Sequence, residues 1–416
     1  MSGDNCVGIT VTPVSPTKLA IDGGRPVRKE PFAPWPYFEH EELAAVARVL
    51  ESGKVSYWTG DEGRQFEGEF AASVGCRHAV AVANGTVALE LALRGLGIGP
   101  GDEVIVPSRT FIASASCVFM CGAVPVVADV DKDSQNITAA TVREVLSERT
   151  RAIIVVHLAG WPCDMDPILE LAREHRLKVI EDCAQAQGAT YRGRAVGSMG
   201  DAGAFSFCQD KIMTTGGEGG MMTTNDTELW SRAWAFKDHG KSYDAVYRRH
   251  HPPGYRWLHE SLGTNWRLTE MQSALGRVLL RKLPKYIQKR QHLAAALDQR
   301  FSELAAFRVT RRPDHLTHAY YRYSVFLRPE RLRDGWDRQR VQDAVNAEGV
   351  PCFVGGCSEI YLEGMFPVEL RPSRSLPVAK ELGETALTFL LHPTLDERDM
   401  EDTAAAVEKV LACATR

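Results

Sequence analysis

The residues with the clearest chemical potential lie in one segment, EDCAQAQGATYRGRAVGSMGDAGAFSFCQDKIMTTGGEGGMM, residues 181–222. Lys211 follows the apolar run AGAFSF and precedes TTGGEGG. A lysine amine can attack a carbonyl carbon, hold it through a C=N bond and later carry a proton. Burial or a cationic neighbour would bring its pKa towards neutrality, as that work requires. Asp182 closes a second apolar run, KVIEDC, with Gln185 three residues on, and Ser206 lies five residues before Lys211. A buried carboxylate can keep a ring nitrogen protonated. Taken singly, Asp182 reads equally well as a helix N-cap and Lys211 as a solvated side chain.

The elements that must position these residues alternate along the chain. HEELAAVARVLESG and QFEGEFAASVG carry apolar residues at helical spacing and end on glycine. Strand-like runs follow in HAVAVANG, EVIVP, VPVVADV, RAIIVVHL and KVIEDC. Between them lie the helical patterns TVALELALRGLG, IASASCVFMCG, TAATVREVLSE and MDPILELAREHR, and AGAFSFC and GGMMTTN read as further strands. Repeated βαβ units predict an α/β fold with a mostly parallel, seven-stranded central sheet flanked by helices. Near residue 275 the pattern changes to a long helical stretch, expected to break at Pro284 and to bridge to a second domain. There HAYYRYSVFL reads as a strand, with WDRQRVQDAVNAEG and ERDMEDTAAAVEKVLACA as helices. The expected division is a mobile tail over 1–20, a large domain over 21–285 that begins with the extended arm LAIDGGRPVRKEPFAPWP, and a small α+β domain over 286–416.

Ligands of open α/β sheets gather at the carboxyl ends of the strands. Asn84-Gly85-Thr86 follows HAVAVA and opens a helix, offering free N–H groups to a phosphate or forming an ordinary cap. Phe111, after VIVPSRT, can be a flat partner for a ring or a core aromatic. Lysine, carboxylate, phosphate cup and flat ring partner together match the needs of one cofactor, pyridoxal phosphate. The GGEGG turn lets the chain leave Lys211 and pass close to such a cofactor. It leads into a strand, whereas a dinucleotide fingerprint opens a helix, so NAD is not expected.

The chain resembles the DegT/DnrJ/EryC1/StrS aminotransferases from about residue 18 to its end. The resemblance rests on ANGTVALELAL, GDEVIVPSRTFIAS, VVHLAGWPCDMD, EDCAQAQGA, FSFCQDKIMTTGGEGGM and GTNWRLTEMQSALG, in that order. It implies a fold-type I pyridoxal-phosphate enzyme that moves an amino group from glutamate or glutamine to a keto-sugar or keto-cyclitol in amino-sugar biosynthesis. By position, Lys211 matches the lysine that bonds the cofactor and shuttles protons, and Asp182 the acid facing the pyridine nitrogen. Gln185 matches the residue on the ring or near its phenolic oxygen, and Phe111 the aromatic on the other face. Gly85, Thr86 and Ser206 match the phosphate cup. Asn265 matches an asparagine that reaches the phosphate from a neighbouring subunit, which implies a homodimer with a shared active site. Dehydratase relatives carry His where this chain has Lys211, so deoxygenation is not expected.

For the acceptor, the residues leave several chemistries open. Where sugar-nucleotide members carry an HYxPLH-like stretch, this chain reads EGVPCFVGGCSEIYLE. Arg109 and Arg267 are candidate contacts for a phosphate or carboxylate, and His318, Tyr320, Tyr321 and His392 are candidates for substrate or for core. A nucleotide-linked, dTDP-type 4-keto-6-deoxyhexose is the first expectation, a scyllo-inosose-type ketone the second and an aminohydroxybenzoate precursor the third. A non-catalytic cofactor sensor would need a fused DNA-binding module, and residues 1–40 are too short and proline-rich for a helix-turn-helix.

Composition narrows the setting. A formal charge of -4 over 416 residues gives no reason to expect nucleic acid or a membrane surface as partner. No apolar run approaches the roughly 20 residues of a membrane helix, and the first residues lack the basic start and apolar core of a signal peptide. A cytoplasmic location is expected. The ten cysteines form no CxxC pair. The spacings Cys117/Cys121 and Cys352/Cys357 lack accompanying histidines, so buried reduced thiols rather than a metal are expected.

Overall fold

The computed structural model describes residues 18–416, so the tail expected over residues 1–20 lies outside the described residues except at its end. The first half of the chain builds β1 (His78–Val82), β2 (Glu103–Pro107), β3 (Val124–Ala128), β4 (Thr150–Val156) and β5 (Lys178–Asp182). After them come the short β6 (Thr190–Tyr191) and β7 (Arg194–Ala195), then β8 (Ala202–Ser206) and β9 (Gly220–Thr224). Seven of these form one sheet in the order β1-β9-β8-β5-β4-β2-β3. β9 runs antiparallel to both its neighbours, and the other inner pairs are parallel. β1 is therefore parallel to β8, and Val82, Asp182 and Ser206 all close their strands at the same edge of the sheet.

Every residue of β2, β8 and β9 is buried. Helices cover both faces, so these strands lack the alternation of a half-exposed sheet and read as continuous apolar runs. The helix Gly85–Gly95 packs against β8 and β9, placing its N-terminus beside Ser206.

The later chain adds β10 (Phe307–Arg308), β11 (Leu316–Thr317), β12 (Arg322–Leu327), β13 (Cys352–Phe353) and β14 (Ala386–Leu390). Four form a second sheet, β10-β12-β14-β13, whereas β11 leaves it and pairs with β6. A separate apolar core backs this sheet, with Leu297, Phe301, Val325, Phe389 and Val407 among its buried members.

Three sequence expectations are corrected. The helix Glu270–Phe301 runs unbroken through Pro284. Pro284 is exposed, so water can satisfy the carbonyl that loses its donor, while buried Leu279 and Leu293 anchor the helix on either side. The helix expected over TAATVREVLSE is only Ala139–Arg143. The strand expected over HAYYRYSVFL starts at Arg322, because Tyr320 turns the chain with φ 50°.

The N-terminal arm ties both sheets together. Arg28 pairs with Asp399 at 2.7 Å and Asp402 at 2.9 Å, and Glu348 accepts from Ala20 N at 2.8 Å and Val27 N at 3.0 Å. Further along, the Trp35 indole N–H donates to the Lys211 carbonyl at 2.9 Å.

Candidate active site

Lys211 sits on the turn between β8 and β9. Its Nζ lies 3.3 Å from Asp210 Oδ1 and 3.5 Å from the Tyr321 hydroxyl. Burial alone would lower its pKa, but Tyr321 and Asp210 outweigh burial and raise it. The sequence expectation of a depressed lysine is therefore corrected: its immediate neighbour is a carboxylate, not a cation.

Asp182 is buried at the end of β5, and burial pushes its carboxyl up. The Ala184 N–H at 3.1 Å and the Ser114 hydroxyl at 2.9 Å pull it back, and Lys211 is close enough to add to that pull. Thr110, 2.9 Å from Ser114, extends the network. Gln185 Oε1 accepts from Ala159 N at 2.8 Å, which orients the side chain into the cavity it lines.

The cup beside Lys211 is built by close approach. A Cβ on Gly85 would stand 2.6 Å from Ser206 Cβ, and one on Gly220 only 2.3 Å from the Asn84 carbonyl oxygen. Glycine is required at both positions for β8, β9 and the helix start to meet. The Asn84 side chain caps Val87 N at 3.0 Å. That leaves the Gly85 and Thr86 N–H groups without a protein partner among the described residues, with the Ser206 hydroxyl opposite. Phe111, 66% exposed at the end of its loop, presents an uncovered ring.

The model of the DegT/DnrJ/EryC1/StrS aminotransferase family matches residues 36–408. The chain belongs to this family and is a transaminase. It is 40% identical to the GDP-perosamine synthase of Caulobacter vibrioides over 85% of this chain and 92% of that protein. It is 36% identical to the L-glutamine:2-deoxy-scyllo-inosose aminotransferase of Streptoalloteichus tenebrarius over 95% of this chain and 98% of that one. The solved aminotransferase of Psychrobacter cryohalolentis superposes with a TM-score of 0.90 at 54% identity, covering 92% of this chain and 99% of that one. The α/β architecture with its mostly parallel sheet is thus that of solved family aminotransferases.

Among the substrate candidates of this transaminase, Arg109 and Tyr321 line the cavity between the two sheets. That cavity, about 230 Å³, is bounded by Arg109, Gln135 and Gln185 on one side and by Tyr321, Arg322 and Gly355 on the other. The remaining candidates have partners within the chain. Arg267 is ion-paired to buried Asp238 at 2.6 Å, on a bridge beside Val82. His318 is buried, stacked on Tyr320 with ring centres 3.9 Å apart, and accepts from Tyr320 N at 2.8 Å. Burial holds its pKa down to about 3. Tyr320 points the same way as His318, away from Lys211, whereas Tyr321 points at it. His392 is buried against Trp35 and hydrogen-bonded to Thr394 at 2.8 Å, its pKa lowered to about 3 by burial and by Arg290. Asn265 is exposed on the segment bridging Asp238, at the outer edge of β1.

Sequence reasoning passed over Asp210, Arg322, Trp35 and the pair His157–Glu181. Glu181 accepts from His157 Nε2 at 3.1 Å and from the backbone of Gly197, Met199 and Gly200 at 2.7–2.8 Å. Burial alone would raise its pKa, but the His157 ring and these N–H groups hold it below the usual carboxylate range. His157 Nδ1 accepts from Cys163 N at 3.0 Å, which puts its ring proton on Nε2. With Cys183 these two are the described residues grouped closely enough to hold a metal, yet the His157 and Glu181 donors are already spent on each other and on backbone. The cysteine spacings also differ from expectation at one point: Cys117, Cys121 and Cys352 are buried, but Cys357 is exposed on its loop. No helix of the described residues is long and apolar enough to cross a membrane.

Proposed function

We propose that this transaminase uses pyridoxal phosphate to carry an amino group from glutamate or glutamine to a nucleotide-linked keto-sugar, with a 4-keto-6-deoxyhexose as acceptor. The observation that carries the cofactor reading is the convergence of Lys211, Asp182 and the Gly85–Ser206 cup at one sheet edge. The fit is physical. A buried Asp182 whose pKa burial raises would regain its charge beside a pyridinium nitrogen. Two free N–H groups at a helix start and a facing hydroxyl are suited to a phosphate. Phe111 and Gln185 supply the flat and polar partners.

Pyridoxal phosphate, when bound, supplies a carbonyl that takes up and gives out the amino group and a ring that draws electrons from the reacting carbon. The chain's own residues do the rest. Asp182 would hold the proton on the ring nitrogen. Lys211 Nζ would bond the cofactor, leave when the amino donor takes its place, remove the donor's α-proton and return it. Asp210 and Tyr321 fix where Nζ waits. The donor departs as its keto acid, and the acceptor's ketone oxygen is replaced by the amine, so the two half-reactions balance.

We infer further that the working unit is a homodimer in which Asn265 contacts the neighbouring cofactor's phosphate. The exposure of Asn265, together with exposed Tyr255, Trp257 and Leu262 nearby in the chain, supports this reading. The sugar-nucleotide acceptor draws support from the similarity to a GDP-perosamine synthase, and the scyllo-inosose relative keeps the cyclitol as the competing acceptor.

The test is the visible spectrum of the protein loaded with pyridoxal phosphate. A visible band should appear, fade with glutamate or glutamine, and be absent from Lys211→Ala. Adding candidate ketones to the faded protein should restore it with a nucleotide-linked 4-keto-6-deoxyhexose. Restoration by scyllo-inosose alone would replace the acceptor, and a band that no amino donor changes would overturn the donor assignment.

A further inference from the structure

We propose that Arg109 is the anion seat of the inter-sheet cavity, that its ligand is a carboxylate of the amino donor, and that the donor is therefore glutamate in preference to glutamine. This rests on the aminotransfer reading above and adds the identity of the donor. Arg109 is 1% exposed, and every partner it has is neutral. Its Nε donates to Gln135 Oε1 at 3.0 Å, and its Nη1 to the Gly356 carbonyl at 3.5 Å and to the Ser358 hydroxyl. No carboxylate pairs with it among the described residues. A buried guanidinium without a counter-charge is costly, and here burial pushes its pKa down to about 10. A carboxylate ligand would restore the balance through charge-assisted hydrogen bonds.

Room for that ligand exists at Nη2, which has no protein hydrogen-bond partner among the described residues. It lies beside Gly355, whose φ of 80° suits glycine and where a Cβ would come within 3.0 Å of Nη2. The opposite wall holds a second cation, Arg322, whose guanidinium lies 4.5 Å from the Tyr321 ring centre. Its nearest carboxylate, Asp210, is 3.8 Å away and already accepts from Tyr321. Two guanidiniums in one cavity match the two carboxylates of glutamate, whereas glutamine leaves one of them unpaired.

The donor is the source of the anion that this cavity and its distance from Lys211 favour. The cavity, about 230 Å³, has room for an amino acid between its two cations. Tyr321, in the same wall, stands 3.5 Å from Lys211 Nζ, so one side chain separates the cavity from the proton-accepting amine.

The experiment follows fading of the visible band over a concentration series of glutamate and of glutamine, without any sugar acceptor. Wild-type protein should half-saturate at least tenfold lower with glutamate. Arg109→Gln should raise that glutamate concentration about 100-fold, the loss of a paired charge-assisted contact, with a smaller effect on glutamine. Gly355→Ala should raise it less. Glutarate should compete with glutamate in the wild type far better than butyrate. Calorimetry on cofactor-free protein should show glutarate binding that Arg109→Gln loses, with circular dichroism confirming the fold. If Arg109→Gln does not fold, the comparison of glutarate with butyrate on wild-type protein decides. Equal use of glutamine by the wild type, or an unchanged glutamate response in folded Arg109→Gln, would overturn the proposal. So would a loss confined to recovery of the band by a sugar nucleotide. If no amino acid fades the band, the aminotransfer reading fails, while glutarate binding still reports on Arg109.

Discussion

Tyr321 donates its phenolic hydrogen to Asp210 while its ring centre lies 5.0 Å from the Lys211 ammonium. The lysine is thus held between a carboxylate and an aromatic face, each of which favours its charged form. This arrangement depends on Tyr320. Its left-handed φ of 50° turns the chain so that consecutive tyrosines point to different places, one onto His318 and one onto Lys211.

The consequence is a pH dependence in the capture of pyridoxal phosphate. The Lys211 pKa is raised above its ordinary value, so below that value capture should climb with pH as the neutral amine grows. Asp210→Asn removes one of the charges that raises it. The rise should then shift to lower pH, and capture at pH 8 should quicken by about threefold to tenfold. Stopped-flow absorbance across pH 7–10 measures this, and an unshifted profile would rule out control by Asp210.

His318 makes a second pH prediction, from a pKa shift of opposite sign. Burial lowers its pKa from 6.5 to about 3, so the unfolded chain binds a proton that the folded chain refuses. Stability from a neutral buried histidine is present above the unfolded value and falls as pH drops from about 6.5 towards 3. Between pH 7 and pH 5 this amounts to about 2 kcal/mol. His318→Gln keeps an acceptor for Tyr320 N and does not titrate. Its unfolding free energy should lose about 2 kcal/mol less than the wild type's over that interval, as urea titrations at the two pH values would show.

What the sequence made legible divides along physical lines. Strands β2, β4, β5 and β8 announce themselves because burial on both faces demands continuous apolar runs, and Asp182 closes β5 while Lys211 follows β8. The small elements were harder. β11 pairs with β6 across more than a hundred residues, a tertiary choice that two residues of strand cannot signal. The reading of HAYYRYSVFL as one strand failed because a single backbone turn at Tyr320 resets which face each side chain takes. The partners of Arg267 and His392, Asp238 and Trp35, were not legible either, being distant or unremarked in sequence. Asp210 escaped notice for the opposite reason, since a carboxylate beside a lysine resembles an ordinary surface pair until Tyr321 arrives from the other sheet.

The cup offers the sharpest separation of binding from folding. Gly85→Ala would drive its Cβ to 2.6 Å from Ser206 Cβ, forcing the helix start away from β8. Such crowding costs about 1–3 kcal/mol of stability and, more tellingly, misaligns the Gly85 and Thr86 N–H groups against the Ser206 hydroxyl. Affinity for pyridoxal phosphate should fall at least tenfold by absorbance titration. Gly68→Ala is the matched control, because a Cβ there meets nothing within 4 Å. Within the helix Glu62–Val74 it should raise stability by about 0.5–1 kcal/mol and leave cofactor affinity unchanged. Equal affinities in the two variants would mean that the phosphate does not rest on the Gly85–Ser206 contact.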